Sequence, residues 1–182
     1  MGGSGGSGAG GGSSGTSGAG GTSGSGGDGN DTIETADPLN VGHEPVGATG
    51  EINPEASDTD YYSFSGSKGD WVILQVKNSV PNNTEWWNTQ YLDPVMTLLN
   101  STGEQIAFND DALPRNTINP RLITRLPEDG VYYVVVQSYC GAFGPPCSGS
   151  IFNDYTITAS LLPETGVAPV GVLEIEPNDS EQ

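Results

Sequence analysis

The sequence predicts an all-β fold, an antiparallel β-sandwich of jelly-roll type, and three observations predict it. Seven or eight short runs rich in β-branched and aromatic residues follow one another. Gly, Pro, Asp and Asn punctuate them in combinations that suit tight turns. No segment keeps a helical period for long, so the crossover helices that a parallel α/β sheet requires are missing.

Taken from the N-terminus, residues 2–27 contain only Gly, Ser, Ala and Thr. Such a stretch has no side chains to offset the entropy of ordering its backbone, which predicts a disordered tether over residues 1–27. One sandwich domain is expected over 28–165, long enough for a single core. Residues 166–182 read as a linker and the start of a second repeat, because Glu174-Ile175-Glu176-Pro177-Asn178-Asp179 echoes the Asn30-Asp31 opening of the main domain.

Within the domain, Tyr61 to Phe64 and Trp71 to Val76 are the first predicted strands, the second preceded by the turn-like Ser67-Lys68-Gly69-Asp70. Val95 to Leu99 and Gln105 to Phe108 form a hairpin about a Ser-Thr-Gly turn, and Arg121 to Leu126 leads through Pro-Glu-Asp-Gly into Gly130 to Tyr139. That last run is apolar on both faces, Tyr132, Val134 and Val136 opposing Val131, Tyr133 and Val135, which predicts a central strand. In Tyr155 to Leu161, Tyr155, Ile157, Ala159 and Leu161 alternate with Thr156, Thr158 and Ser160, the pattern of one buried and one wet face.

The 23 Asp and Glu outnumber the 5 Lys and Arg, for a formal net charge of -18. Nucleic acid and anionic membranes need clustered basic residues, so neither is an expected partner. No apolar run reaches the ~20 residues needed to span a bilayer, and membrane insertion is not expected. The acid excess keeps a chain soluble by self-repulsion; where acids cluster, it also points to a cation. Cys140 and Cys147 enclose Gly-Ala-Phe-Gly-Pro-Pro, a segment whose turn residues favour a disulfide, and a disulfide places the chain outside a reducing cytoplasm. Met1 runs into Gly and Ser without the basic and apolar regions of a signal peptide, so the extracellular or cell-surface location is inferred from the cysteines and the tether.

Several segments, in order, resemble the bacterial pre-peptidase C-terminal (PPC) domain, a family related to the collagen-binding domains of clostridial collagenases. They are Asn30-Asp31 leading to Ala36-Asp37-Pro38-Leu39, Ser57-Asp58-Thr59-Asp60-Tyr61-Tyr62-Ser63-Phe64, and Leu92-Asp93-Pro94-Val95 with Ile106-Ala107-Phe108-Asn109-Asp110-Asp111. Leu126-Pro127-Glu128-Asp129-Gly130-Val131-Tyr132-Tyr133-Val134 and Asn153-Asp154-Tyr155-Thr156-Ile157 complete the set. The resemblance implies a non-catalytic, monomeric accessory module within a longer secreted or surface-anchored protein, bound to calcium (Ca2+). The collagen-binding relatives are understood to use a Glu-x-Glu-Pro-Asn-Asp linker for the metal. Here Asn30 and Asp31 match it, Asp28 stands near the second Glu, and Gly26 replaces the first.

Calcium prefers about six to eight hard oxygen ligands, which Asp28, Asn30, Asp31, Asp58 and Asp60 supply if the leading segment packs beside the strand starting at Asp60. Asp93, Asn109, Asp110 and Asp111 form a second acidic cluster, readable as another metal site or as turn capping. Trp86, Trp87 and Tyr91, set among amides, suit a face that binds polysaccharide or fibrous protein, or else a cover for the core. A purely structural spacer is the third class. Catalysis is not expected: the single His43 lies in a predicted loop, and no nucleophile motif accompanies it.

Overall fold

The computed structural model describes residues 29–79, 90–113, 117–147 and 149–163. The predicted tether and the suspected second repeat lie outside them.

Nine strands are found among the described residues: β1 (Asp37–Pro38), β2 (Val46–Glu51), β3 (Thr59–Gly66), β4 (Trp71–Asn78), β5 (Pro94–Leu99), β6 (Gln105–Asn109), β7 (Arg121–Arg125), β8 (Gly130–Ser138) and β9 (Asp154–Leu162). They form two sheets, one ordered β1-β3-β8-β5-β6 and the other β2-β9-β4-β7. This is the predicted sandwich, and β8 is the central strand of its larger sheet. All pairings are antiparallel except β1 with β3, where Asp37 meets Tyr62 and Pro38 meets Ser63 in parallel.

Alternation decides which side chains meet between the sheets. From the larger sheet Tyr62, Phe64, Met96, Leu98, Tyr132, Val134 and Val136 point inward. They face Val72, Leu74, Val76, Leu122, Ile157, Ala159 and Leu161 of the smaller sheet. Phe64 and Tyr132 stack with ring centroids 5.6 Å apart. In the β5–β6 hairpin, Gly103 takes φ +80°, and the Asn100 side chain accepts from the backbone N–H groups of Thr102 and Glu104 at 3.0 and 2.9 Å. The turn thus has both its left-handed residue and its acceptor.

The sequence did not predict β1, β2 or the single-turn helix α1 (Tyr139–Phe143). β2 reads Val-Gly-Ala-Thr-Gly-Glu, too poor in large apolar residues to signal a strand by itself, and is ordered by six paired positions along β9. The run expected as strand to Tyr139 stops at Ser138, whose hydroxyl accepts from the Gly141 N–H at 2.9 Å and so caps α1.

Strand direction places several segments at one end of the sandwich. Thr59 of β3 lies opposite Gln137, Pro94 of β5 opposite Ser138, Asn109 of β6 opposite Met96, and Glu51 of β2 opposite Asp154. The start of β3, the start of β5, the end of β6, the end of β8 and α1 therefore converge.

Candidate functional site

That end collects acids from several segments. The leading segment packs beside β3, as the Tyr61 N–H donates to the Asn30 carbonyl at 2.8 Å. Asn30 is buried, and Asp31 is exposed beside it. Asp58 is buried just before β3, its Oδ2 accepting the Asn53 N–H at 2.6 Å and its Oδ1 the Thr59 N–H at 3.0 Å. Burial raises its pKa above the ordinary carboxylate value, and its contact with the Asp31 carboxyl raises it further against the two backbone donors. Asp31 and Asp58 thus bring two carboxyls together at the start of β3.

Asp60 is placed differently from its neighbour. Alternation along β3 turns it fully into the core, where it accepts a hydrogen bond from the Tyr155 hydroxyl. The Tyr62 hydroxyl lies 2.8 Å from that of Tyr155. Since Tyr155 spends its one proton on Asp60, Tyr62 donates to Tyr155. Burial holds the Tyr155 phenol well above its usual pKa. Gly50 of β2 lies against this network: a Cβ there would overlap the Tyr155 ring and hydroxyl and come within 2.7 Å of the Tyr62 hydroxyl.

The second acidic cluster gathers Asp93 with Asp110 and Asp111, joined by Glu55, which sequence reasoning did not single out. Burial first, then the charges of Asp111, Asp110 and Glu55, push the Asp93 carboxyl up to about 7. Burial and Asp110 push Asp111 up to about 6. Part of the cluster shapes turns. Asn109 donates to the Asp111 carbonyl at 3.2 Å and accepts from the Arg121 N–H at 2.9 Å, while Asp110 accepts the Asp111 N–H at 2.8 Å. Glu55 Oε2 accepts from the N–H groups of Gly149 and Ser150 at 3.0 and 3.1 Å, tying the 52–58 loop to the segment before β9. Only the fold could reveal this role of Glu55, because Gly149 and Ser150 lie more than 90 residues away from it.

Cys140 and Cys147 form the expected disulfide, with Cα atoms 4.9 Å apart, and close the loop that carries α1. Tyr91 stacks on Phe152 with centroids 5.0 Å apart. Its companions Trp86 and Trp87, like Asp28 of the first acidic group, lie outside the described residues. His43 is exposed between β1 and β2. Among the described residues no helix is long and apolar enough to cross a membrane.

All first-group donors are carboxylate or amide oxygens, which suits a hard cation such as calcium and not zinc. Asp31 and Asp58 are the described carboxyls of this group that meet at the start of β3, whereas the Asp60 carboxylate is engaged by the Tyr155 hydroxyl.

Residues 58–138 match the family described as "Bacterial pre-peptidase C-terminal domain". The chain is 29% identical over 113 residues to a probable subtilase-type serine protease of Deinococcus radiodurans, a match covering 58% of this chain and 14% of the protease. It therefore spans a small fraction of that relative's length. Among solved structures it is similar to the pre-peptidase C-terminal domain of a Bacillus anthracis collagenase, with 15% identity, a TM-score of 0.43, and coverage of 70% of this chain and 96% of that one. It is also similar to a periplasmic inhibitor of g-type lysozyme from Aeromonas hydrophila, with 13% identity, a TM-score of 0.44, and coverage of 70% and 99%.

Proposed function

The sandwich, matched over residues 58–138, belongs to the bacterial pre-peptidase C-terminal family, a family of non-catalytic accessory modules, and on that premise we propose that this chain is an extracellular binding module stabilised by calcium. The observation that carries the calcium reading is the docking of the Asn30 segment on Tyr61, which brings Asp31 to Asp58 at the start of β3. Asn30, Asp31 and Asp58 would hold the metal, with Asp28 preceding them in the chain. When bound, the ion supplies charge neutralisation at two carboxyls that otherwise repel. The protein's own contribution is to hold Asp58 on two backbone N–H groups and to bring the Asn30 segment against Tyr61. The disulfide supports a location outside a reducing compartment.

The test is thermal unfolding with excess calcium, with EGTA, and with magnesium as control. A ligand at ~100 times its dissociation constant that binds only the folded state adds about 2.7 kcal/mol, so a calcium-specific rise in Tm is expected. Asp31→Asn, at an exposed position, should abolish the rise without lowering the Tm in EGTA. A Tm indifferent to calcium, or a full response in Asp31→Asn, would remove the site.

A further inference from the structure

The acidic end of the sandwich also carries an exposed aromatic surface that the calcium reading does not use. Tyr139 and Phe143 stand one turn apart on α1, 45% and 55% exposed, with ring centroids 4.8 Å apart. Phe108 of β6 meets Phe143 edge-on at 5.8 Å. The helix is fixed at its start by the Ser138 cap and by the disulfide of Cys140. Exposed rings on a pinned turn lose little entropy when a partner covers them. A second exposed group lies nearby, with Phe152 stacked on Tyr91 and Ile151 67% exposed.

Acids connect the two groups. The Asp93 carbonyl accepts the Tyr139 N–H at 2.8 Å, and Asp93 lies two residues from Tyr91. Glu55 reaches the N–H groups of Gly149 and Ser150, just before Ile151 and Phe152, while its carbonyl accepts from the Ser138 hydroxyl. Asp110 and Asp111 follow Phe108 at the end of β6. Ring faces attract ammonium and guanidinium groups, and the surrounding carboxylates supply the opposite charge on a chain of net charge -18.

We propose that this end of the sandwich is the docking surface for a cationic segment of a partner protein, whose Arg or Lys side chains lie on the rings of Tyr139 and Phe143 with their charged heads among Asp93, Asp110, Asp111 and Glu55. Arginine suits it best, since its planar group stacks on a ring while donating to carboxylates. The proposal rests on the reading of the chain as a binding module and not on calcium, so the titrations are run both in calcium and in EGTA.

The experiment is a 15N NMR titration of the full chain with a peptide of alternating Gly and Arg, beside the same peptide with citrulline in place of Arg. Expected are shifts confined to 91–93, 108–111, 139–143 and 149–152, steep weakening by NaCl, and no binding of the citrulline peptide. Phe143→Ala and the double change Asp110→Asn with Asp111→Asn should each weaken binding about tenfold. Glu44→Gln with Glu128→Gln, at the opposite end, should leave it unchanged. Shifts spread over the whole surface, or equal weakening by the opposite-end pair, would reduce the effect to general charge attraction and overturn the proposal. Equal binding of the citrulline peptide would overturn the cation requirement. Self-association in sedimentation that Phe143→Ala abolishes would assign the surface to a second copy of this chain instead. Loss of the calcium response with peptide binding intact would fail the calcium reading alone.

Discussion

Asp60 shows how one position along a strand separates two chemically identical side chains. Asp58 and Asp60 look equivalent in sequence, yet Asp58 stays near Asp31 while Asp60 enters the core and meets Tyr155, 95 residues away. Tyr155→Phe removes a donor from a fully buried carboxylate and should cost about 2–3 kcal/mol. Tyr62→Phe removes the hydroxyl that donates to Tyr155, a bond between two phenols, and should cost about 1 kcal/mol. Urea unfolding of both variants measures the difference, and equal losses would mean that the carboxylate does not depend on Tyr155. The glycine at position 50 belongs to the same arrangement, because any side chain there would displace the two phenols.

Among the elements, the segments meeting around Asp93 set a pH dependence. With Asp93 at about 7 and Asp111 at about 6, the folded state holds protons more tightly than the unfolded chain does. The stability from the protonated acids is therefore complete at low pH and lost as pH rises from about 4 through about 7. In EGTA the Tm should be higher at pH 5 than at pH 7.5. Asp93→Asn should flatten that slope and stabilise the protein at pH 7.5 by about 2–3 kcal/mol. A Tm that climbs with pH across this window would show that Asp93 is ionised without penalty.

Element by element, the legibility of the sequence followed the strength of its local pattern. β9 and β8 announce themselves because alternation and double-sided apolarity are properties of the run itself. β2 does not, since its strand character comes from pairing with β9, and α1 does not, since a single capped turn is too short to show a period. At the candidate site, Asp31, Asp58, Asp93, Asp110 and Asp111 were visible as acid-rich segments next to predicted strands. What could not be read was which segments meet. The contact of Glu55 with the 149–150 backbone and the diversion of Asp60 to Tyr155 both depend on register between distant strands.

For the molecule as a whole, a net charge of -18 on one small domain and its flanking segments implies self-repulsion that salt relieves. Raising NaCl from about 0.01 to 0.1 M shortens the screening length from about 30 to 10 Å, so the Tm in EGTA should rise over that range. No rise would mean that the acids are too far apart to act on one another.

The parallel pairing of β1 with β3 has a mechanical consequence. The chain joins the fold at Asn30 beside the start of β3, and it leaves at Leu162, beyond the point where Leu161 bonds to Gly42 at the opposite end. Tension applied through the two flanking segments would pull along the strands. It would load the β1–β3 and β2–β9 hydrogen bonds in shear, so that they resist together instead of opening one at a time. A module threaded in this way can carry load as a link between whatever lies before it and whatever lies after.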